Sequence, residues 1–128
     1  MKIALSSDHR GFYAKERIKA MLIGMGHEVI DFGSSSTASC DYPDMALPAA
    51  EAIARGEAQS GIMMCGTGIG MSITANKVKG IRAALCHDEL TTVLARKHNN
   101  ANVLCLPADL VGEELMKRVV HVWLQTEF

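Results

Sequence analysis

The chain has 128 residues, 48% of them hydrophobic and 21% charged, and a formal net charge of −1. Such a chain makes a single globular domain over residues 1–128, long enough to bury about two-thirds of the surface it exposes when unfolded. The charge balance gives no electrostatic case for nucleic acid or an anionic membrane, and no apolar run reaches the roughly 18 residues of a membrane span.

Short apolar runs alternate with helical patterns from the first residue onward. Met1-Lys2-Ile3 leads straight into a strand over residues 2–6, with no signal-peptide pattern before it. Ala14, Ile18, Met21, Leu22 and Met25 then recur at helical spacing, and Gly26 is placed to end that helix. A second strand covers residues 28–31, followed by the low-complexity loop 33–39. Residues 45–55 read as helix, with Pro48 either in the first turn or at a kink. The third strand candidate, residues 60–64, runs into a glycine-rich turn and a helix. After a fourth strand at 83–86, Asp88 is placed to cap a helix carrying Leu90, Val93 and Leu94 inward and ending at His98-Asn99-Asn100. A fifth strand at 103–106 and a last helix over 111–125 complete the chain. Five βα units without a break predict a parallel α/β sandwich, whose ligands bind beyond the carboxyl ends of the strands. That rule gathers Asp8-His9, Asp41-Tyr42, the glycine turn, His87-Asp88 and the neighbourhood of Asn102 at one end.

The turn Cys65-Gly66-Thr67-Gly68-Ile69-Gly70 carries the most chemistry. Its glycines let the backbone approach a ligand closely, and the helix that follows points unpaired N–H groups and its positive dipole end into the same space. Cys65, at the mouth of the turn, is placed to act as a base or nucleophile, since a helix N-terminus favours thiolate. A Walker A loop would end in Gly-Lys-Ser/Thr, but Gly70 is followed by Met71 and Ser72. A dinucleotide fingerprint would stand on the first strand as G-x-G-x-x-G, and a tyrosine-phosphatase loop would need arginine at Met71. Cys40, Cys65, Cys86 and Cys105 form no C-x-x-C pair, which speaks against zinc and for reduced thiols in a cytoplasm.

Six segments together carry a family likeness: Ser7-Asp8-His9-Arg10-Gly11, Asp41-Tyr42-Pro43, the Cys65–Gly70 turn, Ala75-Asn76-Lys77, Gly80-Ile81-Arg82-Ala83 and His98-Asn99-Asn100-Ala101-Asn102-Val103. In this order they resemble ribose-5-phosphate isomerase B and the related allose- and galactose-6-phosphate isomerases. The resemblance implies an α/β/α sandwich, Rossmann-like, with a five-stranded parallel sheet ordered 2-1-3-5-4. It further implies a metal-free aldose–ketose isomerase without cofactor, acting on a small sugar phosphate as a homodimer or a tetramer, with its active sites at the subunit interface. Cys65 then takes the carbon-bound proton, and the amides of Gly66, Gly68, Ile69 and Gly70 form an anion hole for the enediolate oxygen. His98 and Thr67 serve ring opening, while Asp8, His9, Tyr42 and Asn99 match substrate-binding positions. Simpler roles compete: Asp8 as a helix cap, Tyr42 as a wall, His98 as a cap on helix carbonyls. Cys40, Cys86 and Cys105 read as structural, and His27, His87 and His121 as surface or loop histidines.

The sequence departs from the family at the phosphate. Where relatives carry arginine after the fifth strand, Leu106-Pro107-Ala108-Asp109 puts a carboxylate. The family's other phosphate arginines stand in a Gly-Gly-Arg-His-x-x-Arg tail, and the sequence reaches Phe128 before it. A dianion facing Asp109 would be repelled, and Arg10 is the best candidate for a replacement cation. Ribose 5-phosphate is the expected substrate. Another aldose, phosphorylated or not, is the alternative within the class, and a non-catalytic sugar-phosphate sensor the alternative outside it.

Overall fold

Side-chain alternation along the strands divides the core into two layers. In β1 (Lys2–Ser7), Ile3 and Leu5 face one side and Ala4 the other. In β3 (Ser60–Cys65), Ile62 and Met64 oppose Met63 and Cys65, and in β5 (Val103–Pro107), Leu104 and Leu106 oppose Val103 and Cys105. All of these are buried, as parallel strands covered on both faces must be. The computed structural model describes all residues, 1–128. With β2 (Glu28–Asp31) and β4 (Ala83–Leu85) the sheet has five parallel strands in the order β2-β1-β3-β5-β4, the order the resemblance implied.

Helices α1 (Phe12–Gly24), α4 (Glu89–Lys97) and α5 (Glu113–Gln125) contribute to the Ile3 and Leu5 layer. The opposite layer is closed by α2 (Tyr42–Ala54) and α3 (Ile69–Asn76). Ile18 and Leu22 on α1, and Met116, Val119, Val120 and Trp123 on α5, are buried, each large side chain contributing about 1.5–3 kcal/mol. Gly26 ends α1 as expected, at φ +90°, with the amide of His27 bonded back to the Leu22 carbonyl.

Two helices differ from their sequence reading. α2 begins at Tyr42, earlier than the apolar pattern suggests, because Pro43 fits a first turn whose amides have no intrahelical acceptor. Pro48 therefore lies inside the helix. On α4 the cap is as expected, with Asp88 Oδ1 accepting from the Thr91 amide at 2.8 Å. The inward face is not: Thr92 and Ala95 are buried, while Leu90 and Leu94 are 68% and 40% exposed. Thr92 can be buried because its hydroxyl donates to the Asp88 carbonyl at 2.7 Å. The leucines stand on a face that nothing in this chain covers.

Candidate active site

β3 ends at Cys65, and the chain then turns into α3 through Gly66-Thr67-Gly68. Gly68 makes the turn possible at φ +75°, where a Cβ would also lie 2.4 Å from Leu85 Cδ1 and 3.2 Å from the Leu106 carbonyl oxygen. The Gly68 amide donates to Cys65 Sγ at 3.1 Å, and the Ile69 amide to Thr67 Oγ1 at 3.2 Å. Two of the amides expected in the anion hole are thus already engaged. Those of Gly66, Thr67 and Gly70 donate to nothing in the chain, so an incoming oxygen would be met by these three.

The thiol and this backbone open into a cleft of about 350 Å³. Asp8 lines it from the first βα turn, where its Oδ1 accepts from the amides of Arg10 (2.9 Å) and Gly11 (3.1 Å). Asp8 Oδ2 remains without a protein partner, so the residue orders its own turn and still offers an acceptor to the cleft. Behind it, Ser34 ties the loop after β2 to the same turn: its hydroxyl donates to the Asp8 carbonyl and its amide to that of Ser7. Tyr42 forms a wall, its ring lying so close to Gly70 that a Cβ there would be 2.7 Å from Tyr42 Cε1. Across Gly66, Arg10 and Asp109 form an ion pair, Nε to Oδ2 at 2.5 Å. His9 does not line the cleft; its Nδ1 accepts from the Cys40 amide at 3.3 Å.

His98 and Asn99 are not brought to this cleft. They follow α4, which starts at the carboxyl edge of the sheet and returns the chain to the amino edge, where β5 begins. Their neighbours Asn100 and Asn102 line a different cleft of about 390 Å³, together with Met1, Ser60 and Arg82, residues that lie before or at the starts of strands. The six residues of β3, at about 3.3 Å each, separate the two edges by roughly 15–20 Å. The expectation that the Asn102 neighbourhood joins the Cys65 turn is therefore wrong within one chain: Asn102 caps the approach to β4, accepting from the Arg82 amide and donating to the Gly80 carbonyl. His87 is exposed beside the Asp88 cap, and His121 is exposed on α5.

The model of the ribose/galactose isomerase family matches residues 3–128. The chain belongs to that family. Ribose-5-phosphate isomerase B of Escherichia coli (strain K12) is 46% identical over 127 residues, covering 99% of this chain and 85% of that protein. D-erythrulose-4-phosphate isomerase of Pectobacterium atrosepticum is 45% identical over 129 residues, covering 100% of this chain and 85% of its own length. The solved structure of ribose-5-phosphate isomerase B from Clostridium thermocellum superposes with a TM-score of 0.99 at 48% identity, over 100% of this chain and 86% of that one. Membership in a family of sugar-phosphate isomerases agrees with the likeness read from the motifs. No helix is long and apolar enough to cross a membrane.

The Arg10–Asp109 pair is the feature that sequence reasoning missed. Both residues stood out singly, one as a candidate cation and one as a departure. Nothing in their separation of 99 positions says that their side chains meet.

Proposed function

We propose that the chain interconverts an aldose phosphate and its ketose, most plainly ribose 5-phosphate and ribulose 5-phosphate, through an enediolate. The observation that carries the reading is the placement of the Cys65 thiol beside three unpaired amides in a cleft that also holds a free carboxylate oxygen of Asp8. After ring opening, the thiolate takes the proton from C2. The electrons of that C–H bond form the C1–C2 double bond, and the carbonyl oxygen at C1 becomes the anion held by the amides of Gly66, Thr67 and Gly70. Return of the proton from sulfur to C1, with the C2 hydroxyl proton passing to the oxygen at C1, gives the ketose and restores the thiolate. A thiol suits both transfers because it can accept and release a proton near neutral pH. Asp8 and Tyr42 orient the sugar hydroxyls, and Thr67 assists ring opening.

Ring opening also needs a proton donor, and the cleft contains no histidine. A homodimer supplies one, with His98 of the partner subunit closing the Cys65 cleft. Exposed apolar side chains support such an interface. Ile69 and Ile73, 51% and 49% exposed, flank the Cys65 turn on α3, and Leu90 and Leu94 form a stripe on α4 that leads toward His98. The four unpaired cysteines suit a reducing cytoplasm.

The test is proton exchange in D2O, followed by NMR over a panel of aldoses and their phosphates. Deuterium entering at the carbon beside the carbonyl of ribose 5-phosphate supports the reading. Exchange confined to another sugar would reassign the substrate, and no exchange with any of them would leave a binding protein.

A further inference from the structure

Arg10 is the only cationic side chain lining the Cys65 cleft, and it is held there by the carboxylate of Asp109. Both partners are anchored by their backbones to the catalytic turn. The Asp109 amide donates to the Gly66 carbonyl at 3.0 Å and the Ala108 amide to the Cys65 carbonyl at 2.9 Å. The Arg10 amide is fixed by Asp8 Oδ1. The ion pair lies directly over Gly66, where a Cβ would be 2.7 Å from Asp109 Oδ2 and 3.0 Å from Arg10 Nε. Asp109 takes only the Nε of the guanidinium. The two terminal nitrogens of Arg10 bond to nothing in the protein, and this is the edge that grips phosphate in bidentate fashion.

We propose that Asp109 is a positioning residue that holds Arg10 in place, so that the pair forms a phosphate clamp for the far end of the sugar. This deepens the reading of the site as one for a sugar phosphate and rests on it. The cation comes from the loop after β1, and the loop after β5 contributes the carboxylate that orients it. Repulsion between Asp109 and the phosphate is the opposing effect. Both side chains are substantially exposed, at 59% for Arg10 and 39% for Asp109, so water damps that repulsion. Arginine, by contrast, has among the most rotamer freedom to lose when it binds, and an arginine already held has less left to lose.

The two effects predict opposite signs, which makes a double-mutant cycle decisive. Arg10→Ala raises KM for ribose 5-phosphate by about 10–100-fold, with the loss falling more on KM than on kcat. Asp109→Asn in the parent also raises KM, by about 3–10-fold, because Arg10 is released. In the Arg10→Ala background the same Asp109→Asn change lowers KM, since only a repelling carboxylate is then removed. Arg10→Lys, which keeps the charge without the fork, recovers only part of the loss. The dissociation constant of inorganic phosphate, followed by 31P NMR, shows the same inversion of sign without any turnover. Melting curves of each variant confirm that the fold persists. Tighter phosphate binding by Asp109→Asn in the parent would overturn the proposal, because Asp109 would then merely compete for Arg10. So would an Arg10→Ala variant with both constants within about twofold of the parent. A parent that binds phosphate with the expected inversion but exchanges no aldose phosphate would overturn the isomerase reading and leave the clamp standing.

Discussion

The four cysteines are chemically unequal, and their surroundings say why. Burial pushes the Cys86 thiol up, with the Thr92 and Thr91 hydroxyls only partly opposing it. Burial, with Cys65 and Cys86 nearby, pushes the wholly buried Cys105 thiol up as well. Cys65 instead ends a strand at an open cleft and receives the Gly68 amide on its sulfur. Alkylation at pH 7 followed by peptide mass mapping is expected to modify Cys65 ahead of Cys86 and Cys105, and an enediolate mimic such as a hydroxamate is expected to protect it. Cys65→Ala should lower turnover by about 10²–10⁴-fold while leaving sugar binding largely intact, because the anion hole is backbone. Turnover within a few-fold of the parent would remove Cys65 from the role of base.

Helix α4 gives the most informative disagreement at the level of elements. Its apolar letters at Leu90 and Leu94 suggest an inward stripe, yet the residues it buries are Thr92 and Ala95. In the proposed homodimer a second copy would cover this stripe, which its own chain leaves bare and which leads toward His98. Leu94→Asp should therefore shift the protein toward monomer in light scattering and cost most of the activity, while the fold persists by circular dichroism. An unchanged oligomer with full activity would place the interface elsewhere. His98→Asn should damage turnover of a cyclic sugar more than that of a short sugar that cannot cyclise, as a ring-opening role requires.

At the scale of the whole molecule, a site divided between chains has a signature that no single-chain site shares. Cys65→Ala and His98→Asn chains, each inactive on cyclic substrate, should recover about a quarter of the parent's activity when mixed and allowed to exchange. About half of random pairs are hybrids, and each hybrid of a two-fold dimer holds one intact site. No recovery on mixing would confine the site to one chain. A second whole-molecule expectation concerns acid. Lys15 is fully buried, its ammonium 2.7 Å from Asp31 Oδ2 and 3.0 Å from Glu16 Oε1. Burial acts to raise the Asp31 pKa, but the bonds from Lys15, the Gly33 amide and Lys19 outweigh it and hold the carboxyl below its ordinary value. A depressed folded value means that Asp31 contributes its stability in full above the unfolded pKa of about 3.9, and that this is lost as pH falls through the lower folded value. Urea titrations should show stability declining below about pH 4 in the parent. Asp31→Asn should cost about 1.5–3 kcal/mol at pH 7 by leaving Lys15 short of its partner, with a flatter acid limb.

Much of this protein is legible in its letters because parallel strands buried on both faces must be short and apolar, and because βα turns need glycine and capping residues at fixed places. Strands over residues 2–6, 28–31, 60–64, 83–86 and 103–106 follow from that pattern, and each observed strand lies within a residue of those bounds. The Cys65 turn is legible for the same local reason: only a glycine such as Gly68 tolerates the conformation that starts α3 beside the thiol. What a local pattern cannot contain is which edge of the sheet a segment reaches and which distant side chain it meets there. His98 belongs by motif with Cys65, but a helix returns it to the opposite edge of the sheet. Arg10 and Asp109 look like a cation and its antagonist until the sheet order, which places β1 and β5 on either side of β3, brings their loops together across Gly66. Sequence determined the elements and the turn that holds Cys65, since both depend on neighbours along the chain. Tertiary structure decided the partners, since those depend on packing.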